Sequence, residues 1–338
     1  MRVAMYYNNN DIRIVEIPKP EIGEGELLVK AMASGICGSD VMEWYRIKKA
    51  PRVLGHEMAG MVAEVSDGVP FQVGDRVFVS HHVPCDNCEY CRKGYHTACE
   101  TLHKTNFDPG GFAEFIRVPK INVEKGVYLL PSNVSFEQAT FIEPLACVIR
   151  GQKLAGIKKG DVVLVIGSGI SGLLHVMLAK MHGAKVFAVD IHDYRIKMAR
   201  KFGADYALDA NENIPAKLMV LNGKLADHVI VCAGALSAAK QALQCVNRGG
   251  TILFFAVPEP GINIDVPIND FWRNEVKIMT SYGAGPGDLK ESLKLIGERS
   301  IEVNEMITHR LSLDETGLGF RLVAESGESI KVIIEPFR

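Results

Sequence analysis

The sequence predicts an α/β plus β chain: a small β-barrel or sandwich, followed by a doubly wound parallel sheet. Three observations carry this. At 338 residues the chain is too long for one ordinary hydrophobic core. Its first 120 residues or so show short β-branched runs separated by turn signals. From Val162 onward the pattern becomes apolar strand, glycine turn, amphipathic helix and second strand.

The β-rich part comes first. Residues 12–17, 26–32, 60–65 and 75–79 read as strands, bounded by Pro18-Lys19-Pro20, Gly23-Glu24-Gly25, Asp67-Gly68 and Gly74-Asp75. Within it lie Gly35-Ile36-Cys37-Gly38-Ser39-Asp40 and Gly55-His56-Glu57-Met58-Ala59-Gly60. A thiolate, an imidazole and a carboxylate are all zinc ligands, and three of them with one open position make a catalytic rather than a structural metal. A lone Cys or His more commonly serves as a core or surface residue, so this set needs support from elsewhere in the chain.

The strongest local signal follows: Cys85-x2-Cys88-x2-Cys91-x7-Cys99. Four thiols in one polar loop can close a tetrahedral zinc. The loop has no apolar core of its own, so zinc would supply its folding energy, on the order of 10 kcal/mol. The competing readings are four buried or reactive cysteines, or a redox pair; the third and fourth cysteines argue against the pair.

Residues 162–190 hold the second organising feature. Val162 to Ile166 is a buried-type strand. Gly167, Gly169 and Gly172 fit G-x-G-x-x-G around Ile170 and Ser171: a tight turn, a close backbone approach to a pyrophosphate, and close packing of helix on strand. Leu173, Leu174, Met177, Leu178 and Met181 continue at helical spacing to a stop at Gly183. The second strand ends in Asp190, where a carboxylate can accept the adenosine ribose hydroxyls. The same carboxylate would repel a 2′-phosphate by up to ~4 kcal/mol at close range and intermediate dielectric, which predicts NAD over NADP.

Further along, residues 194–202 read as helix, with Arg195 placed to lie on the adenine or to be solvated. Residues 227–232 and 251–256 read as strands, with 247–250 as a turn between them. Their ends, near Cys232 and Val257, should flank the nicotinamide, because ligands bind at the carboxyl edge of such sheets. The glycine-rich 282–287 returns the chain to the first domain, and strand, helix and strand close it. The expected division is 1–145, 146–283 and 284–338.

Composition excludes several classes. A net charge of −2 gives no electrostatic case for nucleic acid or membrane. No apolar run reaches the ~18 residues of a membrane span, and the first residues lack a signal-peptide core, so the expected compartment is the cytoplasm. Eight cysteines then favour metal ligation or burial over disulfides.

The His-Glu signature at 55–60, the four-cysteine loop and the later glycine turn, in that order, resemble the zinc-dependent medium-chain alcohol dehydrogenases over essentially the whole chain. Ile142-Glu143-Pro144 stands where simple alcohol dehydrogenases carry a third zinc-ligating Cys, so the polyol (sorbitol-like) and threonine dehydrogenase branches are the more similar. The resemblance implies a GroES-like barrel and a Rossmann domain, with the active site between them. It also implies a catalytic zinc on Cys37 and His56 with Glu57 or Glu143 as acidic ligand, and a structural zinc on Cys85, Cys88, Cys91 and Cys99. Ser39 would take the substrate proton, Asp40 would orient His56, and Lys331 would stand near the cofactor pyrophosphate. His81 and His82 precede the cysteine loop, where relatives line the substrate pocket. They would touch the substrate or relay its proton; otherwise they are hydrogen-bonded strand-end residues.

The sequence departs from the family pattern in places. The segment from Cys37 to His56 is short, Met42 stands where several relatives carry a relay His, Glu43 falls where sorbitol dehydrogenases carry a Tyr, and Ser66 replaces a usual glycine. The implied function is hydride transfer between a secondary alcohol, a polyol, sugar or cyclitol, and NAD. The implied assembly is a homodimer or homotetramer. L-threonine 3-dehydrogenase or diol dehydrogenase is the enzymatic alternative, and a zinc-bearing binding protein with a dead site is the non-enzymatic one.

Overall fold

The computed structural model describes residues 1–338. The chain forms two compact units, Met1–Ala146 with Ala284–Arg338, and Cys147–Gly283. No helix is long and apolar enough to cross a membrane.

The first unit is built on strands β1 (Arg2–Asn8), β2 (Asp11–Glu16), β3 (Leu27–Gly35), β4 (Arg52–Val53), β5 (Glu57–Val65), β6 (Arg76–Ser80), β7 (Phe115–Val118) and β8 (Val127–Leu129). β3 is the hub. It pairs antiparallel with β5 along nearly its whole length and with β7 at its start. Alternating residues Leu27, Val29 and Ala31 bury against Met58, Val62, Val77, Val79 and Ile116 in one core. A second core gathers Val3, Tyr6, Phe112, Phe320 and Ile334. Short helical turns at Glu43–Arg46 and Lys120–Gly126 interrupt the expected all-β reading.

The second unit continues with β9 (Val162–Ile166), β10 (Lys185–Asp190), β11 (Tyr206–Asp209), β12 (Ala226–Val231), β13 (Val246–Phe254) and β14 (Lys277–Thr280). All pairings are parallel, in the order β11-β10-β9-β12-β13-β14. That is the doubly wound arrangement, with its switch point between β9 and β12. β9 is buried at every residue, as a central parallel strand must be. The helix Ile170–Met181 follows the glycine turn and stops at Gly183, whose φ of 79° suits only glycine readily. One boundary differs from expectation: 247–250 is not a turn before the strand. β13 runs through it from Val246, with Gly249 at φ 70° and a register shift opposite Ala226–His228 absorbing the irregularity.

Back in the first unit, β15 (Ile307–Ser312) and β16 (Lys331–Glu335) complete its sheet, β16 pairing with Ser34 and Gly35 of β3. The first residue of β16 is therefore delivered beside the end of β3 and the start of β5.

Candidate metal and cofactor sites

Cys37 leaves the end of β3, and Glu57 opens β5 just after His56. Ligand atoms of the three residues lie within 4.8 Å of one another. Gly35 pairs across to Glu57 in the ladder. A Cβ on Gly35 would collide with Glu57 and Lys331, so glycine here is required by the crowding beneath the cluster. Glu143 lies in the first turn of the helix Ile142–Ala155 and stands outside this converging set.

The groups around the cluster orient it. The amide of Cys37 donates to Asp40 Oδ2 at 3.1 Å, and the amide of Ser39 donates to Cys37 Sγ at 3.4 Å. Asp40 is buried, and its Oδ1 lies 3.4 Å from His56 Nδ1. That contact leaves the other ring nitrogen of His56 for a metal. Burial opposes charge on His56, but Asp40 and Cys37 outweigh it and hold its pKa well above the ordinary value. A pocket that draws a proton onto imidazole against burial is one whose negative charge suits a cation, and its thiolate, imidazole and carboxylate donors are those zinc takes.

Two residues that sequence reasoning missed complete the arrangement. Arg46 donates from Nε to the Ser39 carbonyl and from Nη2 to Ser39 Oγ, each at 2.9 Å, and its Nη2 lies 3.3 Å from Asp40 Oδ1. Asn122, fully buried, donates to the carbonyls of Ser80 and His81 at 3.0 and 2.9 Å. It fixes the end of β6, from which the two histidines emerge. The His81 ring is centred 4.9 Å from that of His56 and 3.9 Å from that of His82. Burial drives both below the ordinary histidine range, His82 to about 4, so both are neutral at pH 7. His81 Nδ1 is buried without a hydrogen-bond partner.

Lys331, expected from the resemblance near the cofactor pyrophosphate, has a second engagement within the fold. Its ammonium is fully buried and bonds to Glu57, over the ring of Phe141 at 5.2 Å. It neutralises the carboxylate of the converging set, an engagement that the sequence did not announce.

The four-cysteine lobe has its own geometry. Sulfur separations are 3.5 Å for Cys88–Cys91, 3.6 Å for Cys99–Cys85 and 4.0 Å for Cys85–Cys91. A tetrahedron of sulfurs at ~2.3 Å from zinc has edges of about 3.8 Å, so the thiols stand at the spacing a closed site needs. Amides of Cys88 and Cys85 donate to Cys85 Sγ and Cys99 Sγ at 3.3 and 3.4 Å, which favours thiolates. Leu102 is the only buried non-cysteine residue in the lobe's cluster.

In the second unit, Gly167 has φ 94°, and a Cβ on Gly172 would collide with its carbonyl. Gly169 opens the helix Ile170–Met181, and a Cβ there would meet nothing nearer than Arg195 Nη1 at 3.8 Å. The turn is therefore tight on its strand side and open at the helix N-terminus, the form of a pyrophosphate cradle. Arg195 Nε is buried without a partner beside it. Asp190 accepts from Ser168 N at 2.7 Å and His192 N at 3.0 Å, which fixes its carboxylate next to the turn. Cys232 packs on Gly167, and the Val257 carbonyl lies 3.1 Å from where a Cβ of Gly234 would stand. The first strand end thus borders the cradle, and Val257 lies against that strand's continuation at Gly234.

Comparison with known proteins agrees with this chemistry. A sequence model of the alcohol dehydrogenase GroES-like domain matches residues 23–132, and one of the zinc-binding dehydrogenase matches 171–298. The chain is 32% identical to the sorbitol dehydrogenase of Halalkalibacterium halodurans, over 99% of this chain and 98% of that one. It is 31% identical to the L-threonine 3-dehydrogenase of Idiomarina loihiensis, over 96% of each. A protein of Sinorhizobium meliloti 1021 described as a zinc-binding dehydrogenase, solved with NADP, superposes with a TM-score of 0.88 at 28% identity, over 99% of both chains. The chain belongs to the zinc-dependent medium-chain alcohol dehydrogenase family, as an oxidoreductase of CH–OH groups that uses zinc and a nicotinamide cofactor.

Proposed function

We propose that the protein is a cytoplasmic dehydrogenase that oxidises a secondary alcohol of a polyol-type substrate, with NAD preferred as hydride acceptor. The convergence of Cys37, His56 and Glu57, with the Ser39 amide donating to Cys37 Sγ, is the observation that carries this reading. When bound, zinc supplies the Lewis acidity that lowers the pKa of an alcohol, and NAD supplies the hydride acceptor. Cys37 and His56 hold the metal, with Glu57 or, through water, Glu143 as the acidic partner. Asp40 fixes the His56 ring. Ser39 Oγ accepts the substrate hydroxyl proton, and Arg46, already donating to that oxygen, holds it in place. Neutral His81 lines the substrate side of His56 and offers an acceptor or donor to a hydroxyl.

The glycine turn holds the pyrophosphate, Arg195 flanks it, and Asp190 takes the ribose hydroxyls. The four-thiol lobe holds a structural zinc. Similarity to sorbitol and L-threonine dehydrogenases supports a small polar alcohol rather than a long apolar one. The test is Cys37→Ser: it should abolish NADH production from polyols while NADH still binds, read by nicotinamide fluorescence. Retained turnover in a zinc-free preparation would refute the reading.

We also propose a homo-oligomer that pairs through the second unit. β14 is an edge strand of the parallel sheet, and the adjoining helix Ile268–Arg273 exposes Ile268 and Trp272 beside Ile278. Trp272→Asp should then halve the mass seen by light scattering; a wild-type monomer would refute it.

A further inference from the structure

Glu43 is a departure from the family pattern that the site above does not use. It stands outside the Cys37, His56 and Glu57 set and accepts from the amide of Asn9 at 3.1 Å. Asn9 lies in the turn between β1 and β2, and its side chain makes two more bonds. Its Nδ2 donates to the Val41 carbonyl at 2.8 Å, and its Oδ1 accepts from the Tyr6 hydroxyl at 3.0 Å. Tyr6 is 1% exposed and packs on Phe320 in a core of the first unit. The Val41 carbonyl can only accept, so it fixes which way the Asn9 amide faces.

The segment that Asn9 holds carries Ser39 at one end and Arg46 at the other. Amides of Tyr45 and Arg46 close one helical turn on the Met42 carbonyl, at 2.9 and 3.1 Å. Glu43 opens that turn and Arg46 ends it, donating to the Ser39 carbonyl and to Ser39 Oγ. Met42 adds no side-chain cap. A single helical turn is not stable alone, so contacts from outside must place it. Its start is anchored on Asn9, and its end on Ser39 and Asp40. A shift at the start therefore moves the guanidinium at the end. Hydrogen bonds weaken steeply with misalignment, and a displacement of about 1 Å at a reacting group can cost a hundredfold in rate.

We propose that Asn9 is a positioning residue for the reaction: through Val41 and Glu43 it sets the turn that delivers Arg46 to the Ser39 oxygen. Glu43 thereby serves as part of a latch within the fold. The proposal rests on the dehydrogenase reading for the role of Ser39, but the latch itself is testable without substrate.

The experiment compares Asn9→Ala, Arg46→Gln and the double variant, all zinc-loaded, by two readouts. The first is hydrogen exchange of the free protein at the amides of Tyr45 and Arg46, which report the turn. Asn9→Ala should speed their exchange about threefold or more and leave that of β9 unchanged. The second is the initial rate with D-sorbitol and NAD. Asn9→Ala should lower kcat about threefold to tenfold, the worth of one hydrogen bond, with zinc content and NADH affinity unchanged. In the Arg46→Gln background the same change should lower kcat less than about twofold, because the group it positions is gone. Glu43→Gln keeps an acceptor for the Asn9 amide and should retain most of the wild-type kcat, whereas Glu43→Ala should fall with Asn9→Ala. Exchange unchanged in Asn9→Ala would overturn the latch. Faster exchange with kcat untouched, or an equal fall of kcat in both backgrounds, would overturn the positioning role. If wild type leaves D-sorbitol unoxidised, the polyol reading fails, and the latch stands or falls on exchange alone.

Discussion

Lys331→Met is the sharpest perturbation of the catalytic unit. The Lys331 side chain is 0% exposed and that of Glu57 1%, and they bond to each other. Met fills nearly the same volume and keeps the contact with Phe141, so the change isolates the charge. It leaves a buried carboxylate with no counter-charge, which costs about 3–5 kcal/mol. In a unit of about two hundred residues that corresponds to a fall of roughly 6–20 °C in melting temperature. A divalent ion on Cys37 and His56 supplies the missing positive charge, so the loaded protein should lose less than the metal-free one. Glu57→Gln added to Lys331→Met should recover most of the loss, since neither charge is then present. Scanning calorimetry of both forms, with and without zinc, measures all four quantities. An equal loss with and without metal would refute the idea that Glu57 faces both the lysine and the ion; a loss under about 1 kcal/mol in the metal-free form would refute the buried pair itself.

Three further outcomes are expected. Asp190→Asn keeps an acceptor for the amides of Ser168 and His192 but removes the charge, so the ratio of kcat/KM for NADP to that for NAD should rise at least about tenfold; an unchanged ratio would mean the carboxylate does not face the ribose. Cys91→Ser should lower bound zinc from about two ions per chain to about one and open residues 85–104 to limited proteolysis, because the lobe has little apolar core beyond Leu102. His175 is fully buried in the helix Ile170–Met181, and burial pushes it down to about 3. Its folded pKa lies below its unfolded one, so its contribution is complete above about pH 6.5 and is lost as pH falls towards 3, by up to ~1.4 kcal/mol per pH unit; a stability profile of His175→Gln with the same acid slope as wild type would show that another group sets it.

The family resemblance and the second unit's architecture were legible because they rest on local rules. Val162–Ile166 could be read as a central strand from composition alone, and Gly167, Gly169 and Gly172 from the backbone demands of a phosphate turn. The thiol loop was legible for the same reason: spacing within fifteen residues sets which sulfurs can meet. Where β13 begins was not, because Asn247-Arg248-Gly249-Gly250 has turn chemistry and only pairing with β12 draws it into the sheet.

Contacts that join distant parts of the chain were invisible. Lys331 reaches Glu57 across 274 positions, and nothing in either local sequence announces the pair. Arg46 was within reach of inference, since it lies seven residues from Ser39, but its role depends on the short turn at Glu43–Arg46 bringing it back over the loop. That turn also resolves an apparent gap. Met42 stands where the resemblance places a relay histidine in several family members, and in this chain the guanidinium of Arg46 bonds the serine oxygen. Arginine stays protonated at working pH, so it cannot pass a proton onward as imidazole does. It can only hold the oxygen and favour negative charge on it. If Ser39 takes the substrate proton as proposed, that proton leaves for water or for neutral His81, and Arg46 acts as an electrostatic clamp where an imidazole would act as a relay.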